Sequence, residues 1–146
     1  METDAVKAAA MLGRRLKGLP LQKVKRFEFE WRFEFGVNRV LQVRCPWRLL
    51  SDGRIAFTDS DDGHQFGLPV PKDGESEAPK IIGESVIQKI VLHEVTGDLS
   101  IYFGERAILE VLNMSCGYES WEIGADDVRV IGLGGGDLAI CASANE

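Results

Sequence analysis

Between residues 26 and 35 every second side chain is aromatic. Phe27, Phe29, Trp31, Phe33 and Phe35 alternate with Arg26, Glu28, Glu30, Arg32 and Glu34. Successive side chains of an extended chain point to opposite faces, so a period of two predicts a β-strand, or two strands broken near Trp31. One face is then buried and the other, charged with mixed signs, meets water. A row of rings needs an apolar surface to cover it. Residues 3–18 offer one: Ala5, Ala9, Leu12, Leu16 and Leu19 recur at steps of four and three, the stripe of an amphipathic helix. Thr3 or Asp4 can cap its start with a side-chain oxygen, and Gly18 and Pro20 stop it. The stripe is expected against the aromatic row.

Short apolar segments punctuated by turns fill most of the remainder. Gly36–Arg39 turns the chain into Val40, Leu41 and Val43, and Pro46 ends that strand or marks a bulge. Ser51-Asp52-Gly53 is a turn before Arg54–Thr58. Ser85–Val95, Asp98–Phe103, Ala107–Leu112, Tyr118–Ile123, Asp127–Leu133 and Asp137–Cys141 read as further strands, rich in β-branched residues and separated by Gly-containing turns. The fold class expected is α+β: mostly antiparallel β, about eight strands, with an N-terminal helix. Residues 59–78 interrupt this pattern as an acidic, Pro- and Gly-rich connecting loop, and only about one helical turn is expected at Pro79–Gly83.

The two sides of that loop resemble each other. Phe33-Glu34-Phe35-Gly36 aligns with Ile101-Tyr102-Phe103-Gly104, and Leu41-Gln42-Val43 with Leu109-Glu110-Val111, both at an offset of 68. Gln22-Lys23-Val24 aligns with Gln88-Lys89-Ile90 at 66, and Gly18 with Gly83 at 65. Cys45 with Trp47 answers Cys116 with Trp121 after a short insertion. The chain of 146 residues is the size of one domain. It is read as a single domain over 1–146, built from two repeated helix–strand halves, about 1–58 and 79–142.

Composition narrows the function. The net charge is -6, distributed as +5 over residues 1–44 and -11 over 45–146. An acidic chain repels phosphate backbones, so nucleic acid is not an expected partner. No apolar run is long enough to cross a bilayer, and no secretory leader is expected from the first residues, so no membrane role is expected either. Three cysteines without close pairing read as reduced thiols and a cytoplasmic setting.

No constellation of catalytic residues emerges. His64 and His93 stand apart from Cys45, Cys116 and Cys141, without the ligand spacing of a zinc site. The cysteines lie beside strands, with no helix N-terminus to lower a thiol pKa. Asp59-Ser60-Asp61-Asp62-Gly63 starts like a calcium loop, but Val70 occupies the twelfth position. Gly132-Leu133-Gly134-Gly135-Gly136 has no following helix and reads as a flexible hairpin turn. No catalytic, metal or cofactor-binding residue is therefore assigned. The candidates are partner-binding: Asp59, Asp61, Asp62, Asp73, Glu75 and Glu77, faced only by Lys72 in their window, and the aromatics Trp47, Tyr118 and Trp121. Unpaired charge steers a basic partner, and Trp and Tyr dominate interface energies.

Leu99–Val111 followed by Gly117-Tyr118-Glu119-Ser120-Trp121-Glu122-Ile123 resembles segments of small bacterial α+β proteins, among them immunity proteins that accompany polymorphic toxins and contact-dependent inhibition systems. The resemblance covers part of the second half, and the first half only through the repeat. It implies a non-catalytic protein that binds a cognate, basic toxin domain, and it carries over no catalytic residue. Two other readings stay open: a structural domain, homodimeric through its sheet edges, and a small-ligand binder using a cleft between the halves.

Overall fold

A computed structural model describes residues 2–142. The first helix, α1 (Asp4–Leu16), starts where the Thr3 side chain accepts the Val6 N–H at 3.2 Å. It buries Ala5, Ala8, Met11, Leu12 and Leu16, while Ala9 and Leu19 are only half-buried. A meander of β1 (Lys23–Arg26), β2 (Trp31–Gly36) and β3 (Arg39–Val43) follows, then a hairpin of β4 (Trp47–Ser51) and β5 (Arg54–Thr58). The second helix, α2 (Gly74–Ile82), leads into another meander, β6 (Ile87–Leu92), β7 (Leu99–Phe103) and β8 (Ala107–Val111). The chain closes with β9 (Trp121–Ala125), β10 (Val128–Gly132) and β11 (Leu138–Cys141).

All pairings are antiparallel and form two sheets, β1-β2-β3-β9-β10-β11 and β5-β4-β8-β7-β6. Each sheet thus joins the meander of one half to the hairpin of the other. The registers correspond closely. Val43 lies opposite Trp31 and Trp121, and Val111 lies opposite Leu99 and Trp47. Phe35 and Phe103, 68 residues apart in sequence, touch across the core with ring centroids 6.2 Å apart. The helices exchange in the same way: α1 packs chiefly on β6, and α2 on β1 and β5. Each helix closes the seam where an edge of one sheet meets an edge of the other. At one seam, Pro20 and Val86 form an isolated antiparallel bridge.

Several expectations are corrected. Eleven strands form where about eight are expected; β1 has four residues with a single apolar side chain, and in β4 the adjacent Leu49 and Leu50 break the alternation. The aromatic row is not one buried strand. The alternative of a break near Trp31 holds: β1 ends at Arg26, Phe27–Glu30 form a tight turn closed by the Phe27 N–H on the Glu30 carbonyl at 2.7 Å, and β2 starts at Trp31. Only Trp31, Phe33 and Phe35 are buried, while Phe27 and Phe29 stand in solvent. A period of two looks the same in one strand and in two strands joined by an even-numbered turn. Nor does α1 cover the row. Phe33 meets Trp47 edge-on at 5.2 Å, so the facing sheet does. Phe33→Ala is therefore expected to cost about 3–5 kcal/mol in urea unfolding, and Phe29→Ala less than about 0.5 kcal/mol.

The connecting loop is shorter than 59–78. Asp59–Asp61 forms a one-turn 3-10 helix, and α2 begins at Gly74 with Asp73 as its N-cap. Pro79, read from sequence as a helix start, lies inside α2, whose last turn closes with the Gly83 N–H on the Pro79 carbonyl. Gly74 is required there, because a Cβ would lie 2.6 Å from the Trp31 ring. The glycine run does turn β10 into β11, through left-handed backbone at Gly135 and Gly136, and it is packed: a Cβ on Gly134 would lie 2.5 Å from the Gly117 nitrogen.

Candidate functional site

The expected partner-binding residues fall into three groups. Trp47 and Trp121 are fully buried and cannot form a contact surface. Each starts the first strand after a crossover between sheets, which places its ring in the core. Trp47 packs edge-on against Trp31 at 5.0 Å and stacks on Phe57 at 5.7 Å. Trp121 donates its indole N–H to the Gly97 carbonyl at 2.9 Å. They mark the same position in the two halves, and that role is structural.

Each of the six carboxylates is engaged within the chain. Asp59 accepts the Trp47 N–H at 3.2 Å and Asp61 the Thr58 N–H at 3.0 Å. Asp62 accepts the Gly74 N–H at 2.8 Å and pairs with Arg26 at 3.1 Å. Asp73 caps α2 through the Glu75 N–H, and Glu75 accepts the Arg26 N–H. Glu77 accepts the Asp73 N–H and the Lys72 ammonium. A carboxylate on a free backbone donor supplies a partner that the strand and helix ends lack, which outweighs like-charge repulsion at the surface. Sequence sees the excess of sign but not the donors. Replacing Asp59, Asp61 and Asp62 together by Ala is expected to lower Tm clearly, contrary to a purely solubilising role; an unchanged melt would refute this.

Glu77 shows the cost of this arrangement. Burial pushes its carboxyl up, but the Asp73 N–H and the Lys72 ammonium outweigh burial and hold it below the ordinary value. A depressed carboxyl stabilises the fold fully above its unfolded pKa of about 4.3 and loses that contribution as pH falls through the folded value. Glu77→Gln should therefore reduce stability at neutral pH and make the acid limb of the stability curve shallower. Parallel curves for variant and wild type would exclude the effect.

The third group is Tyr118, and it leads to a surface that sequence reasoning missed. Two crossovers meet at one end of the sandwich, residues 44–46 and 112–120. They are tied by the Arg44 N–H on the Ser120 carbonyl at 2.8 Å and the Leu112 N–H on the Pro46 carbonyl at 2.9 Å. Asn113 anchors the longer one, donating to the carbonyls of Thr96 and Leu133. The Ser115 hydroxyl accepts the Gly117 and Tyr118 N–H groups. A groove of about 570 Å³ opens between them, lined in part by Cys45 and Pro46. Phe29, Met114 and Tyr118 stand around it, 80, 71 and 81% exposed, with Arg44 and Glu119 on the rim. Phe29 was hidden by its place in the aromatic alternation. The tight turn at 27–30 delivers it here.

The groove holds no activated nucleophile. Burial, then the charges of Asp59 and Asp98, push the Cys45 thiol up to about 12. Near pH 8 iodoacetamide should modify the exposed Cys116 and Cys141 but spare Cys45 until the protein unfolds. Native modification of all three would contradict this. His93 takes the Val95 and Thr96 N–H groups on Nδ1, and His64 lies 5.7 Å from the Phe66 ring. Among the described residues no cluster of three or more His, Cys, Asp or Glu side chains could hold a metal, and no helix is long and apolar enough to cross a membrane. No family model, curated protein or solved structure matches this chain.

Proposed function

We propose that the chain is a non-catalytic, cytoplasmic binding protein, an immunity protein that neutralises a cognate toxin by direct contact through the groove at the crossover end. The observation that carries this reading is the apolar rim of Phe29, Met114 and Tyr118 on a tied backbone. Three large apolar side chains so exposed around one groove are costly in water, and aromatic anchors with a neighbouring Arg are typical of interface centres. The net charge of -6, to which the 59–77 carboxylates contribute, adds long-range attraction for a basic toxin domain. The two halves, equivalent in strand order, are read as a repeat whose crossovers build the groove jointly.

The test is co-expression with the product of the neighbouring gene, expected to be a toxin. Wild type should restore growth and form a complex, and Phe29→Ala with Tyr118→Ala should lose both without a change in Tm. No complex with that neighbour, or full protection by the double variant, would reject the reading. The groove is also large enough for a small apolar ligand. Mass spectrometry of the natively purified protein separates the two: a stoichiometric bound metabolite favours the ligand, and its absence favours the protein partner.

A further inference from the structure

The correspondence between the halves leaves one position empty. In the first sheet, β10 is flanked by β9 and by β11, which pairs from Arg129↔Cys141 to Gly132↔Leu138. In the second sheet, β5 holds the place of β10: Leu49 faces Phe57 as Ile123 faces Val130. No strand lies on the far side of β5 among the described residues. At its end the Thr58 N–H is occupied by the Asp61 carboxylate and the Thr58 hydroxyl lies 2.9 Å from that of Ser60, but residues 54–57 make no main-chain hydrogen bond beyond the β4 pairing among the described residues. Two of the other edges are covered. α2 lies on β1, with Glu75 taking the Arg26 N–H, and meets β5 as well, where Gly74 sits against the inward-facing Phe57 ring; the Gly18 N–H and Leu19 carbonyl pair with Ile87 at the start of β6.

The surface of β5 fits a partner strand. A bulge opposite Leu49–Leu50 adds Ala56 to the strand and turns Ile55 out of the core, where it is 59% exposed. In a regular strand without the bulge, Ile55, two residues before Phe57, would share its inward face. Arg54 opens the strand, and Asp59 and Asp61 follow its end. Two such strands related by a two-fold axis run antiparallel, so Arg54 of each lies toward the acidic end of the other. The charge pattern is therefore self-complementary, and an open edge supplies main-chain donors and acceptors without requiring a particular side chain.

We infer that β5 is the edge through which two copies of this chain pair, β5 antiparallel to β5, joining their five-stranded sheets into one. The second copy's strand occupies the position that β11 occupies in the other sheet. Ile55 and Ala56 are covered at the contact. This inference is independent of what the groove binds, since the groove lies among the crossovers and β5 lies at a sheet edge.

Sedimentation equilibrium of the whole chain over a concentration series tests it. Wild type should rise from the monomer mass toward twice that mass. Ile55→Lys sets like charges together across the axis, and Arg54→Glu sets a carboxylate toward Asp59 and Asp61 of the second copy. Each should weaken association by about tenfold or more, and Ile55→Lys should leave the dilute-limit Tm unchanged, since the side chain is solvated in the monomer. Val37→Lys, on a distant exposed turn, should associate as wild type. Hydrogen exchange at the amides of residues 54–57 should slow as concentration rises. A wild type that stays monomeric throughout overturns the inference. So does a dimer that Ile55→Lys leaves intact, or one that is lost instead on replacing Phe29 and Tyr118.

Discussion

Trp121→Ala is expected to bring the fold close to unfolding. The ring is fully buried, so its removal costs about 3–5 kcal/mol in lost transfer energy and cavity. Its indole N–H also serves the Gly97 carbonyl, and leaving that acceptor unpaired adds about 1–3 kcal/mol. Domains of this kind hold only about 5–15 kcal/mol in total. Trp47 provides the internal control. It occupies the corresponding position, but its buried indole nitrogen has no hydrogen-bond partner. The turn above Trp121, residues 93–98, is two residues longer than the turn at 27–30, and the extra length brings a carbonyl over the ring. Trp47→Phe should accordingly cost less than Trp121→Phe in urea unfolding. Equal costs would show that the Gly97 hydrogen bond contributes nothing.

Gly136→Ala should be the most damaging single methyl group in the chain. Gly136 has a φ of +100°, which L side chains rarely adopt, and an added Cβ would clash with the Val95 carbonyl oxygen and crowd the Thr96 backbone at 3.0 Å. The backbone strain and the overpacking each cost about 1–3 kcal/mol, and neither relaxes easily because the opposing atoms are main chain. Gly135→Ala is the comparison. Its φ is +81°, but its nearest neighbour, the Cys116 carbonyl oxygen, is 3.9 Å away, so only the strain applies. Thermal melts should therefore rank wild type above Gly135→Ala and Gly135→Ala above Gly136→Ala. The reverse order would mean that the contact between the 93–98 turn and the glycine run does not hold the native state.

What could be read from residues alone follows how local each signal is. The strands with strict alternation, Leu99–Phe103 and Ala107–Val111, form within a residue of their expected limits. Their period of two is set by neighbours in the chain. The helix α1 forms where its stripe and cap place it, although it buries Ala8 where Ala9 is expected. α2 is missed because Gly74 and Pro79, ordinarily breakers, are tolerated by the Trp31 contact and by the Asp73 cap. The candidate site is less legible. Of the nine residues singled out, the two tryptophans go to the core and the six carboxylates hold loop and helix ends; Tyr118 alone joins the groove. Phe29 and Met114 reach it only through the turn at 27–30 and the tied 112–120 crossover.

By itself, the sequence determines an α+β chain of mostly antiparallel strands with an N-terminal helix, and the offsets of 65 to 68 residues at which its segments resemble one another. Those properties are periodicities and spacings, imposed by backbone geometry on neighbouring residues. The tertiary structure alone decides that each half sends its hairpin into the other half's sheet, so that β3 pairs with β9 and β8 with β4. It also decides which exposed aromatics gather at one end. The reason is physical: pairing between strands is specified by hydrogen bonds that any backbone can make and by rings that fit only once both sheets are assembled. Neither the partner strand nor the solvent exposure of a ring is a property of its own stretch of chain.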